Sequence, residues 1–344
     1  MGRLAALHFL VDALCLCCLY LLAERAGGMS LTHVFILYNV MAFLTQPLTG
    51  WLADVLLSRS GWVWVSVGLL ATAVLTSTVM MLTASFTLPL FFVVALLLGA
   101  GNSLFHVWGG KLVAVATNND MRALGVFVST GAFGLAVATV CYSWPLLYVL
   151  LAAVGIMTKT QQTLPLQTLP LQTHPRPLPE GRGVDSSAIS PTNDKSIYSP
   201  PSQGGAGGGS SSPVREGLGV GLLFALILFV MLRSHVGGVF SSCLAGQGGA
   251  SIVLLIGATA MAGKMAGGWI ARQTGIVWGL TLMVAATVVC LLLRDAGFAW
   301  QLSGLLTINF TMPVTLYMAN AVLPGREGLA FGLLAAALMP AYLL

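Results

Sequence analysis

Charge is what this sequence has least of. Acidic and basic residues fill 7% of its 344 positions, apolar ones 57%, and mean hydropathy is +0.91. A soluble domain carries roughly 25% charged residues, so this surface is not built to face water. The net charge of +5 comes from singly scattered Lys and Arg, without a basic stripe, an RNA-binding motif or zinc spacing. That excludes nucleic acid as the expected partner. Also missing are HExxH, paired acids near a membrane surface and a phosphate-binding loop, which argues against an enzyme. Six cysteines build no framework: Cys15, Cys17 and Cys18 share the first apolar segment, and Cys141, Cys243 and Cys290 stand alone. They read as buried apolar side chains, and neither a cofactor nor a metal is expected.

What is present is a series of apolar stretches of spanning length. The first runs from Leu4 to Ala23, too long for a signal peptide and without a small-residue cleavage site, so it reads as a transmembrane helix. The hydropathy pattern predicts helices over about 4–24, 31–56, 62–84, 88–116, 122–143 and 144–158, then 217–240, 248–271, 275–294, 298–322 and 326–344. Each reaches or approaches the ~20 residues that a rise of 1.5 Å per residue requires.

Between the two groups lies sequence of another kind. Residues 159–216 are rich in Pro, Gly, Ser, Thr and Gln, repeat the pentad Thr163–Gln167 at Thr168–Gln172, and include a glycine run from Gly204. Such a segment buries too little to offset its ordering entropy, so it is expected to be a disordered linker. The expected organisation is a six-helix bundle at 1–158, a cytoplasmic linker at 159–216 and a five-helix bundle at 217–344. With the N-terminus in the cytoplasm, Arg25, Arg233 and Arg294 are the basic residues that fall elsewhere, as the positive-inside rule selects. Lys111, Arg122, Lys264 and Arg326 read as topology determinants, and Trp62, Trp64 and Trp144 as interface aromatics.

A repeat spans the linker. Gly50-Trp51-Leu52-Ala53-Asp54 closes the second helix, and Gly268-Trp269-Ile270-Ala271-Arg272 closes the eighth. Two parallel repeats of six helices make the architecture of major facilitator transporters. The first pentad, with Arg59 five positions on, resembles that superfamily's loop 2–3 motif. The resemblance implies a gating role for Gly50, Asp54, Arg59, Gly268 and Arg272. His8–Asp12, Thr45–Gly50, Gly101–His106 and Leu232–Ser234 are similar to stretches of the fosmidomycin-resistance branch. That likeness implies an all-α transmembrane two-bundle fold in the bacterial inner membrane, as a monomer, with proton-driven export of a drug or organic anion. Uptake of a metabolite is the other transport reading. The chain departs from that branch at Val107-Trp108-Gly109, and its fifth helix has Gly125, Gly131 and Gly134 without the Gly-Pro pair of antiporters. Eleven helices are expected where the architecture has twelve, the chain ending at Leu344 in or just after the eleventh, so a truncated, non-transporting protein of this fold is the competing expectation.

Ionisable groups inside spans are costly, at about 2.5–3.5 kcal/mol each, and mark pathways. His8 and Asp12, four apart on the first helix, share one face. Arg233 and His235 lie on the seventh, its counterpart across the repeat. Asp12 is expected to pair with Arg233, and protonation of Asp12 or His8 to release the arginine to an anionic substrate. Asn102 and His106 on the fourth helix are further cavity candidates, as are Asn309, Thr311 and Tyr317 on the tenth, with Asn320 nearer its cytoplasmic end. Helix-packing hydrogen bonds are the alternative reading of these last residues.

Overall fold

A computed structural model of the chain describes residues 2–26, 31–56, 61–162 and 213–342. Among the described residues there is no strand. The helices are α1 (Gly2–Arg25), α2 (Thr32–Asn39), α3 (Gln46–Leu56), α4 (Gly61–Thr83), α5 (Leu88–Ala116), α6 (Met121–Cys141), α7 (Trp144–Gln162), α8 (Pro213–Ala245), α9 (Ala250–Thr274), α10 (Ile276–Leu292), α11 (Phe298–Val322) and α12 (Glu327–Ala336). Seven are long and apolar enough to cross a membrane by length and composition, and three shorter apolar helices accompany them at Trp144–Thr160, Ile276–Leu292 and Glu327–Ala336. Most of the linker, 163–212, lies outside the described residues, as does Arg59.

Nine of the eleven predicted spans are single helices; the last, predicted over 326–344, is helical over Glu327–Ala336 and ends in a 3-10 turn at Met339–Tyr342. The second is broken: α2 and α3 are joined by a π-helical turn, Val40–Leu44. Pro47 follows this turn and carries no N–H, so the carbonyls one turn back lose a backbone donor. The side chain of Gln46 covers one of them, its Nε2 donating to the Ala42 carbonyl at 2.7 Å. The remaining ends are set by local chemistry. Pro89 sits in the first turn of α5, Asp120 caps α6 by accepting from the Arg122 N–H, and Gly275 turns α9 into α10 at φ 83.

The spans are apolar all round, as helices are that face lipid, protein or both. Lipid tails are as apolar as leucine, so close packing rather than the hydrophobic effect holds such helices together. Within the first half α1 lies innermost against α5, α6 and α7. Thr130 Oγ1 donates to the Ala5 carbonyl at 2.6 Å, tying α6 to α1. The two halves meet along α6 and α9, and along α3, α5 and α12.

Candidate functional site: a cavity and its closed end

Between the halves lies a cavity of about 330 Å³. Its walls come from α1 (His8, Asp12), the broken α2–α3 helix (Tyr38, Gln46), α5 (Asn102, His106), α6, α9 (Lys264), α11 and α12. The apolar remainder includes Phe35, Leu316 and Phe331.

The polar side of this cavity is one cluster. Asp12 is buried, with its Oδ2 3.3 Å from His8 Nε2 and its Oδ1 3.4 Å from His106 Nε2. Asn102 Nδ2 adds contacts to Asp12 Oδ1 at 3.3 Å and to the Tyr38 hydroxyl at 2.8 Å. The helix spacing of His8 and Asp12 places them on one face of α1, as the sequence predicts, and α5 brings His106 and Asn102 against that face. Gly131 makes the approach of α6 possible, because a Cβ there would collide with Asp12 and His8.

Both imidazoles are oriented from behind. His8 Nδ1 meets the Phe127 carbonyl at 2.6 Å, and His106 Nδ1 meets the Asn102 carbonyl at 3.0 Å. A carbonyl is an acceptor, so each Nδ1 carries the proton. The two Nε2 atoms then face each other at 2.7 Å. Two neutral rings in these tautomers would set lone pair against lone pair, beside a carboxylate. The cluster is therefore complete only with a positive charge among its three members.

The expected partner of Asp12 is corrected here. None of the ion pairs described for its carboxylate involves Arg233; His8 and His106 take that place. Arg233 is buried on α8, but no α8 residue is among those lining the cavity, and His235 is exposed. Asn309 and Tyr317 also stand apart from the lining: Asn309 Nδ2 donates to the Leu305 carbonyl of its own helix, and the Tyr317 carbonyl accepts from Asn119 Nδ2 at 3.0 Å. Thr311 bonds the Ile308 carbonyl, and Asn320 Nδ2 bonds Asn119 Oδ1 at 2.8 Å. Lys264, expected to set topology, instead lies on the cavity wall with Arg233 and Asp12 as charged neighbours.

The repeated pentads build two contacts between the halves, the latches. At the first, Asp54 Oδ1 and Oδ2 accept the backbone N–H groups of Gly328 and Leu329 at 2.9 and 2.8 Å, capping α12 from across the interface. Lys111 Nζ stands 3.2 Å from Asp54 and donates to the Ala53 carbonyl. Gly50 lies against the Gly328 backbone, with no room for a Cβ. At the second, Arg272 Nη1 reaches Asp120 Oδ2 at 3.1 Å, and Gly268 lies against the Met121 backbone. Arg122 doubles the grip on Asp120 at 2.7 Å and stacks its guanidinium over Trp269 at 5.1 Å. Hydrogen bonds from Arg122, and the charge of Arg272 beside it, hold the Asp120 carboxyl below the usual carboxylate range. Sequence reasoning singled out Asp54 and Arg272 but missed Asp120, Asn119 and Tyr38. Asp120 left one readable signal, an acid immediately before an apolar run, which is a helix N-cap.

The fold defined by these helices is that of the major facilitator superfamily. No protein-family model matches the sequence, and no curated protein matches it. Solved structures do. A variant of the E. coli fucose:proton symporter FucP superposes with a TM-score of 0.62 at 12% identity, over 99% of this chain and 88% of that one. FucP in an outward conformation gives 0.58 at 12% identity, covering 97% and 88%. A bacterial homologue of the iron transporter ferroportin, in an outward-facing state, gives 0.54 at 14% identity, covering 99% and 89%.

Proposed function

We propose that this chain is a secondary transporter, carrying a small solute by alternating access and coupling it to proton movement at the His8–Asp12–His106 cluster. The observation that carries the reading is the buried Asp12 carboxylate on the cavity wall, flanked by two imidazoles whose facing lone pairs demand a cation. A charge in that position is expensive to bury and is rarely kept without a role in a pathway. The latches between the halves supply what alternation needs, a closure made of few, separable contacts. The similarity to a fucose:proton symporter agrees with proton coupling.

Lys264 on the same wall favours an organic anion as the solute, because among the described residues it is the lysine that lines the cavity, beyond the histidine cluster. The latched end is read as cytoplasmic, with the N-terminus on that side of a bacterial inner membrane and proton-driven efflux of a drug or organic anion as the direction. Purified protein in proteoliposomes, screened with organic anions under an imposed pH gradient, is expected to show gradient-driven flux that the Asp12→Asn variant loses. Full gradient-driven flux in that variant overturns the coupling site. Flux indifferent to the gradient overturns proton coupling altogether.

A further inference from the structure

The cation that the cluster demands need not be a proton. We propose that His8 Nε2, His106 Nε2 and Asp12 form a binding site for a divalent first-row transition-metal ion, which competes with the shared proton. The inference rests on the transport reading only for its consequence, that such an ion would occupy the proton-coupling site and block coupled flux of the solute; the site itself rests on geometry.

Five observations converge. The three donors are a pair of imidazole nitrogens and a carboxylate, a set that suits divalent iron and its neighbours and leaves coordination positions open. Their ligand atoms all lie within 4.8 Å of one another. Each histidine donates its other ring N–H to a backbone carbonyl, His8 to Phe127 and His106 to Asn102. This is the outer support that fixes the tautomer of metal-bound histidines and raises their basicity. The carboxylate is steadied in turn by Asn102 Nδ2. The open side of the triad faces the cavity, where water or an oxygen ligand can complete the coordination.

The distances set the size of the adjustment. Metal–nitrogen bonds of about 2.1 Å place adjacent ligands about 3.0–3.4 Å apart. The separations from His8 Nε2 to Asp12 Oδ2, 3.3 Å, and from His106 Nε2 to Asp12 Oδ1, 3.4 Å, fall there for a carboxylate that binds through both oxygens. The two Nε2 atoms, at 2.7 Å, would have to part by a few tenths of an ångström. A metal ion needs the lone pair of each Nε2, so a proton held on either ring would leave for the cavity as the ion enters. Proton release on metal binding is the general consequence when ligands must be deprotonated. Lys264 opposes a bare dication from the same wall, and so tunes the site toward weaker, reversible binding.

Titration of the full-length purified protein with Co²⁺ tests the site, read by cobalt absorption and by calorimetry in buffers of different ionisation heat. Saturable one-to-one binding with net proton release is expected. The affinity should fall at least about tenfold in His106→Asn and in Asp12→Asn. Lys264→Met is expected to act oppositely and tighten Co²⁺ binding, which a misfolded variant cannot mimic. Absence of saturable binding by the wild-type protein overturns the proposal, as does binding unchanged in the His106→Asn, Asp12→Asn double variant. If gradient-driven anion flux is found while Co²⁺ does not bind, the metal site falls and the transport reading stands. If Co²⁺ binds as described and no solute moves in proteoliposomes, the site stands and the transport reading falls.

Discussion

The pentads Gly50–Asp54 and Gly268–Arg272 end in opposite charges, yet each is joined through a carboxylate to the first turn of a helix from the other half. The difference follows from what the receiving helix already has. The N-cap position of α12 is Arg326, which makes no side-chain cap hydrogen bond, so the N–H groups of Gly328 and Leu329 in the first turn donate to an acid from outside, Asp54. A carboxylate at that end also meets the positive pole of the helix dipole. Helix α6 brings its own cap, Asp120, so the incoming pentad must carry a cation, and Arg272 does. The two latches differ in burial as well. The side chain of Asp54 is 0% exposed, whereas Arg272 is 57% exposed. A buried charge-assisted cap is worth more than a solvated ion pair, so the repeat preserves the position of the latch and not its strength.

That comparison can be broken at three levels. The largest effect is expected from Gly50→Val and Gly268→Val, since both glycines lie against backbone that cannot yield cheaply. Each should destabilise the contact between the halves by about 1–3 kcal/mol, seen as a lower Tm in detergent and loss of flux. Equal effects would show that close approach, unlike charge, is conserved between the latches. Next comes the charge itself. Asp54→Asn should cost about 1–2 kcal/mol through the weakened cap, and Arg272→Gln less than about 1 kcal/mol. Salt should erase the Arg272→Gln effect and leave most of the Asp54→Asn effect, and a double-mutant cycle of Arg272 with Asp120 isolates the pair. A cycle giving the second latch the larger coupling would reverse the ranking.

The smallest effect is a pH dependence. Asp120 is held below its ordinary carboxylate range, so its contribution is complete above the usual value of about 4 and is lost as pH falls through the lower folded-state value. The Tm difference between wild type and Arg272→Gln should therefore be constant from neutral pH to about pH 5 and vanish only in stronger acid. A difference that fades between pH 7 and pH 6 would point to a histidine instead.

Much of the fold was legible because a bilayer leaves so little choice. Every backbone group must be satisfied within the span, so apolar length alone gives helices, and the bounds predicted for 88–116 and 298–322 coincide with α5 and α11. The π turn in the second span was not legible, because periodicity cannot register one added residue before Pro47. Half of the cluster was: His8 and Asp12 share a face by spacing alone. Its other half was named in the sequence but not joined to it, since nothing in residues 102–106 says which helix they will meet. Arg233 was misassigned as the partner of Asp12 for the same reason. Opposite charges in symmetry-related helices suggest a pair, but the side chains that reach the carboxylate from another helix come from α5.

The sequence by itself determined the helical membrane class, the limits of most spans to within a few residues, and the place of the repeated pentads, because these depend on hydropathy and on local spacing. Tertiary structure decided the rest. It turned Lys264 from a topology marker into a cavity cation, it selected Asp120 as the counterpart of Arg272, and it closed the ring of His8, Asp12 and His106. In each case the physical cause is the same: a lone polar group in an apolar span must find a partner, and only the packing of helices distant in sequence decides which one.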